Sequence, residues 1–178
     1  MELQEVLNTR RSIRSYDAAK KVTKEQIEDL IEAALQAPSW KNSETARYHC
    51  VLSDELIAKL TEEALPAFNQ KSSAGAALIV ASFVKNVSGY TKGEPDNELG
   101  NGWGCYDLGF SNANFILKAR EMGLGTLIMG IREEAKIREI LQIPEDECIV
   151  SVIALGYPTD ADAPKRPRKE KEEICRFY

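Results

Sequence analysis

The densest group of chemistry-bearing side chains is Arg10-Arg11-Ser12-Ile13-Arg14-Ser15-Tyr16. Its guanidiniums repel one another unless an anion or carboxylates sit between them. Arginine presents planar donor forks that match a phosphate, and Ser12 adds a hydroxyl. Ile13 and Tyr16 interleave with the charges, as in a partly buried segment whose side-chain directions are fixed. An anion site and a solvated basic turn both fit these residues. A second cluster, Pro38-Ser39-Trp40-Lys41-Asn42-Ser43-Glu44, follows a helical pattern directly and offers hydroxyls, an amide and free backbone donors. Alone, it also fits an ordinary helix-exit loop. A third, Lys165-Arg166-Pro167-Arg168-Lys169, fits a basic tail or a weak nucleic-acid patch. The apolar Ile174, Phe177 and Tyr178 beyond it argue instead for a tail that docks on something.

Other chemistries are set aside by spacing. Cys50, Cys105, Cys148 and Cys175 are dispersed, so there is no CxxC zinc or thioredoxin pattern. The only histidine, His49, adjoins Cys50. Neighbours in a strand point to opposite faces, which argues against a Cys/His nucleophilic pair. A lone histidine also excludes a metal site built on several imidazoles. Gly100-Asn-Gly-Trp-Gly104 and Gly123-Leu-Gly-Thr-Leu-Ile-Met-Gly130 both miss the GxGxxG dinucleotide fingerprint. Gly123 reads as a helix C-cap, and the glycines after it allow backbone to approach a flat ligand.

The elements that must position these clusters alternate between helix and strand. A short helix is expected over Glu2–Asn8. A stronger one spans Thr23–Gln36, with Thr23 and Gln26 in a capping-box pattern and Ile27, Leu30, Ile31, Ala34 and Leu35 in one stripe. Arg47–Leu52 reads as a strand, Asp54–Leu65 as a helix, and Ala77–Val84 as a strand buried on both faces. Asn86–Gly104 is a polar excursion, long for a connector and therefore a candidate functional loop. A long helix is expected from about Tyr106 to Met122, then a strand over Thr126–Met129, a helix over Glu133–Leu141 and a buried strand over Cys148–Leu155. Asp160–Lys171 is polar and contains proline.

The chain has 178 residues, 43% of them hydrophobic and 29% charged, which fits one domain able to bury its own core. Its longest apolar run, Ala76–Val84, is far short of the roughly 20 residues that cross a bilayer, so no membrane partner is expected. A net charge of -5 argues against binding nucleic acid through the whole surface. No charged-then-apolar leader opens the chain, and dispersed thiols fit a reducing compartment, so a cytoplasmic protein is expected.

Taken in order, the clusters resemble the nitroreductase family of FMN-dependent oxidoreductases over nearly the whole chain. Arg10-Arg11-Ser12-Ile13-Arg14-x-Tyr16 is the most specific element. Pro38-Ser39-x-x-Asn42-Ser43 resembles a second flavin loop and Phe68-Asn69-Gln70-Lys71 a third contact segment. Asp107-Leu-Gly with Asn112-Ala-Asn114 resembles the family's central helix. Gly123-Leu-Gly-Thr126 through Gly130, Leu155-Gly-Tyr-Pro158 and the basic tail complete the order.

The resemblance implies an α+β fold with a mixed central sheet flanked by helices, as a single FMN-binding domain over 1–178. It implies a homodimer with one FMN at each of two interface sites, and a C-terminal arm, about 160–178, that crosses to the partner and adds to its sheet. Arg10, Arg11 and Ser12, with Arg166, Arg168 or Lys169, would hold the phosphate and ribityl chain. Arg14 would lie nearer the flavin pyrimidine, where a cation favours accepting a hydride. Pro38, Ser39, Trp40 and Asn42 would come from the partner subunit. Asn69 and Lys71 would contact the ring edge, and Ile128, Met129 and Gly130 would line the ring near N5. Phe68, Tyr90 and Trp103 are candidates for an aromatic substrate lining. The implied activity is ping-pong hydride transfer from NADH or NADPH to a nitroaromatic, quinone or similar acceptor, with no side chain acting as acid or base. A flavin-binding module for storage or sensing is the alternative. Family members often carry Gln-Pro where this chain has Glu44-Thr45. A carboxylate there must pair with an arginine or face away from the phosphate.

Overall fold

The computed structural model describes residues 2–160 and 165–178. Positions 161–164, within the polar segment and the expected arm, lie outside the described residues.

Helix α1 (Leu3–Thr9) precedes the arginine cluster. In α2 (Lys24–Leu35) the Thr23/Gln26 capping box forms as the sequence predicts, and Ile27, Leu30 and Ala34 are buried. A single 3₁₀ turn, Trp40–Asn42, leads to β1 (Ala46–Val51). Helix α3 (Asp54–Ala64) begins at a Ser53 cap, and α4 (Ala67–Ser73) follows. Strand β2 (Ala77–Val84) is buried along nearly its whole length. The excursion holds a small antiparallel ribbon, β3 (Tyr90–Thr91) with β4 (Glu94–Pro95).

Helix α5 runs from Gly102 to Glu121, four residues earlier than the sequence predicts, so the end of the excursion is its first turn. Gly104 is required there, because a Cβ would lie 2.2 Å from the Phe83 ring. Strand β5 (Gly125–Met129), helix α6 (Glu134–Leu141), strand β6 (Glu147–Gly156) and the short α7 (Lys171–Ile174) complete the order.

The main sheet has strand order β1-β2-β6-β5, with every named pair antiparallel. Its parallel component is an isolated bridge between Ser12 and Thr126. Strands β1 and β5 are the two edges, three strand spacings or roughly 14 Å apart. One face packs on α3 and α6 through Leu60, Leu78, Val80, Ile137 and Val152. The other packs on α2 and α5 through Leu30, Ile79, Phe83, Phe115 and Ile153. Covering both faces is why β2 shows no polar alternation. No helix among the described residues is long and apolar enough to cross a membrane.

Candidate functional site

The arginine segment is fixed by its own apolar residues. Ile13 and Tyr16 are buried, the Ile13 N–H donates to the Thr126 carbonyl at 2.9 Å, and Tyr16 pairs with Pro158. The Tyr16 hydroxyl donates back to the Ile13 carbonyl at 2.9 Å. Ser15 and Thr159 share a 2.5 Å hydroxyl contact, and the Thr159 N–H donates to the Ser15 carbonyl. Residues 12–17 therefore lie clamped between β5 and the chain leaving β6. Gly125 makes the close approach possible, since a Cβ there would stand 2.7 Å from Ile13 Cγ1.

With the apolar residues held inside, the cations collect outside. Arg10, Arg11, Ser12 and Arg14 meet Lys165, Arg166 and Arg168 around a cavity of about 150 Å³. Burial first, then the Arg168 and Arg11 charges, push the Arg10 guanidinium below its ordinary value. Such a convergence of like charge is unfavourable until an anion enters it. Lys165 also reaches the Leu7 carbonyl at 3.5 Å. Lys169 does not line this cavity, and its ammonium lies 3.8 Å from Glu173 instead.

Beside this cradle, β5 is buried except at Ile128. Ile128 is 46% exposed whereas Met129 is buried in the core, so of the pair only Ile128 turns its side chain outward. A Cβ on Gly130 would meet nothing within 4 Å. Asn69 is buried, and its amide donates to the Ile131 carbonyl at 3.0 Å, which ties α4 to the chain after β5. Lys71 and Phe68 are exposed on the same helix.

The second loop is built at the opposite edge of the sheet. Lys41, Asn42 and Glu44 all hold left-handed backbone, with φ of 50°, 55° and 48°. Such strain persists only where surroundings over-determine it. Here the Glu44 N–H donates to Ser39 Oγ at 3.1 Å, and Lys41 bridges to Thr91 at 2.9 Å and Asp96 at 3.2 Å. The Trp40 N–H donates to Asp107 Oδ2 at 2.9 Å, and the Ser88 hydroxyl donates to the same oxygen at 2.6 Å. Trp103 packs on Trp40 with ring centroids 4.5 Å apart, and its indole N–H donates to Asn97. Asn42 donates its amide to Glu44 Oε1 at 2.9 Å. Glu44 thus faces away from the cationic cavity and lines, with Arg47, Thr45 and Tyr48, a separate largely apolar cavity of about 250 Å³. Thr45 Oγ1 in this cavity, and Ser43 Oγ in the loop, are buried without a partner among the described residues.

Of the residues singled out by sequence, one chain brings together Arg10, Arg11, Ser12, Arg14, Arg166 and Arg168. It separately gathers Pro38–Asn42 with Tyr90 and Trp103. Phe68 stands with neither aromatic. Sequence reasoning placed Lys165 in the basic cluster and Asp107 in the central-helix motif but gave neither a role in the site, and it missed Ser88 under the second loop. A carboxylate beside Leu108 on the buried face of α5 is the signal that could have found Asp107. His49 is engaged by Glu147 at 2.7 Å and Ser82 at 3.3 Å rather than by Cys50. No group of residues able to hold a metal is present among the described residues.

This arrangement, an antiparallel sheet with a cationic cradle at one edge, agrees with what comparison finds. A sequence model of the Nitroreductase family matches residues 7–157, and the chain belongs to that family. It is 33% identical over 163 residues to an Archaeoglobus fulgidus protein provisionally named NADH dehydrogenase/NAD(P)H nitroreductase, across 89% of this chain and 87% of that one. It is 29% identical to the NAD(P)H FMN reductase of Bacillus subtilis, covering 97% of this chain and 72% of the relative. Among solved structures, a nitroreductase family protein from Clostridium novyi NT superposes with a TM-score of 0.77 at 26% identity, covering 93% of this chain and 89% of that one. An FMN complex from Exiguobacterium sibiricum shares the fold, with a TM-score of 0.86 at 23% identity over 100% of this chain and 98% of that one.

Proposed function

We propose that this chain works as an FMN-dependent NAD(P)H oxidoreductase, as a homodimer with a flavin at each of two interfaces, reducing nitroaromatic, quinone or similar small acceptors. The observation that carries the reading is the convergence of cations from both ends of the chain on one cavity beside the open end of β5. That cradle fits a phosphate, the outward Ile128 and unobstructed Gly130 fit a flat ring, and FMN has both parts. When bound, FMN supplies the hydride chemistry.

The chain's own residues bind and orient. Arg10, Ser12, Arg166 and Arg168 would hold the phosphate, with Lys165 added to the set and Lys169 moved to the rim. Arg14 would sit toward the pyrimidine, and the Gly130 region would present backbone to the ring. Asn69 would act by holding the Ile131 carbonyl, with Lys71 at the ring edge. Pro38, Ser39, Trp40 and Asn42 would reach the flavin from the partner. The placement of the cradle and the second loop at opposite edges of the sheet supports this. The exposed Tyr106 and Phe110 on α5, and the unpartnered Ser43 and Thr45 hydroxyls, fit a face that a second copy covers. Phe177 is 95% exposed at the end of the arm, as expected of a segment that docks on a partner. The free cysteines fit a cytoplasmic location.

The test is direct. Purified protein should be yellow, NADH or NADPH should bleach it without oxygen, and initial rates against both substrates should give parallel double-reciprocal lines. A yellow protein that neither nicotinamide bleaches would mark a flavin-binding module instead.

A further inference from the structure

Asp107 is 4% exposed, and both hydrogen bonds to its carboxylate from the described residues fall on Oδ2. One comes from the backbone of the second loop, at Trp40. The other comes from Ser88, itself 1% exposed, at the root of the 86–101 excursion. Helix α5, which carries Asp107, is the rigid element beneath both segments. One further tie runs directly between them, Lys41 to Thr91 and Asp96, and a second runs through α5: the Trp40 ring packs on Trp103, whose indole N–H donates to Asn97 of the excursion. The Thr91 hydroxyl, and then Lys41, hold the Asp96 carboxyl below its ordinary range, so that end of the link is charged at neutral pH.

We propose that Asp107 is a positioning residue: it fixes the strained 38–44 loop through the Trp40 N–H and locks the 86–101 excursion to it through Ser88. The excursion and the loop then move as one body. This rests on the flavin reading only where it states what the loop serves. A loop with three left-handed non-glycine residues relaxes once an anchor is lost, so the anchor sets how well the loop is preformed for its ligand. Displacing the excursion therefore alters the flavin loop.

The test uses the full-length protein and the variants Asp107→Ala, Asp107→Asn and Ser88→Ala. Hydrogen exchange on flavin-free protein reads peptides spanning 38–46 and 86–101, and fluorescence titration reads FMN affinity. Asp107→Ala should speed exchange in both peptides and weaken FMN by about tenfold, the effect of losing one buried bond to a charged group. Asp107→Asn keeps an oxygen that can accept the Trp40 N–H, so it should recover most of the FMN affinity. Ser88→Ala should loosen 86–101 chiefly, with a smaller effect on FMN than Asp107→Ala. Wild-type exchange and wild-type FMN affinity in Asp107→Ala, with only a lowered melting temperature, would overturn the proposal. If that variant does not fold, unchanged exchange over 86–101 in Ser88→Ala overturns it. Loosened loops in variants of a protein that binds no FMN would support the link and overturn the flavin reading.

Discussion

Arg10 and Arg14 lie in the same cationic group, yet their surroundings differ. Arg10 is half-buried against Arg168, whereas Arg14 is exposed and leans on the Ser12 carbonyl at 3.3 Å. Arg10→Ala should therefore weaken FMN binding by about 1–3 kcal/mol, the range for one charge-assisted contact, while the bound flavin keeps its reduction potential. Arg14→Ala should make bound FMN harder to reduce, and Arg14→Lys should recover part of that. Fluorescence titration and potentiometry separate the two, and an unchanged potential in Arg14→Ala removes Arg14 from the ring. A second residue-scale effect lies away from the site. Burial alone would raise the Glu147 carboxyl, but the Ser82 hydroxyl at 2.5 Å and His49 at 2.7 Å outweigh it and hold the carboxyl below its ordinary value of 4.5. A depressed folded value means stability present above about pH 4.5 and lost as pH falls through the folded value. Glu147→Gln should be less stable than the parent at pH 7, and the gap should close in acid. A gap constant from pH 7 to 3 in chemical denaturation would remove this role. Residue types alone marked the arginine cluster. They marked Lys165 as basic but not as part of the cradle, since its place depends on where the tail returns, and they did not mark the loss of Met129 to the core.

At the scale of elements, the join between residues 12–17 and β5 is what turns a basic turn into a cradle. Gly125→Ala would place a Cβ 2.7 Å from Ile13 Cγ1 and 2.9 Å from its Cβ. We expect a loss of about 1–3 kcal/mol from overpacking, together with weaker FMN binding, because the cations ride on the displaced segment. Urea denaturation and FMN titration on one preparation check both, and a stability loss without an affinity loss would uncouple the segment from the site. Long periodic elements were legible in the sequence: α2 with its capping box, the buried β2 and the Leu108–Phe115–Ala119 face of α5. So were the short α1 and β5, but α4 was not. The Ala-Phe-Asn-Gln-Lys-Ser-Ser sequence of α4 carries no apolar stripe, its buried residues are Asn69 and Ser73, and its N-cap Pro66 gives no side-chain cap bond. The first turn of α5 is hidden by Gly102 and Gly104, which read as loop yet are helical because Phe83 packs against the bare backbone. The left-handed loop 41–44 contains no glycine, so sequence carried no sign of its shape.

For the whole molecule, the proposed arm carries the C-terminal half of the proposed phosphate cradle. Ending the chain after Lys165 removes Arg166, Arg168, Ile174, Phe177 and Tyr178 together, so dimer and flavin should be lost together. Sedimentation showing a flavin-loaded dimer after that truncation would separate them. The expectation of a dimer comes from the likeness to a known family, since charge and composition point only to a folded, anion-binding chain. In the proposed homodimer, placing the cradle on one sheet edge and the second loop on the other also has a genetic consequence. A chain damaged at Arg10 and a chain damaged in the 38–42 loop are each defective alone, but a mixed dimer of the two holds one wholly intact site and one doubly damaged. Random reassortment of equal amounts makes half the dimers mixed, so roughly one site in four should regain flavin. Two inactive alleles should then complement when co-expressed, whereas two alleles damaged in the same edge should not.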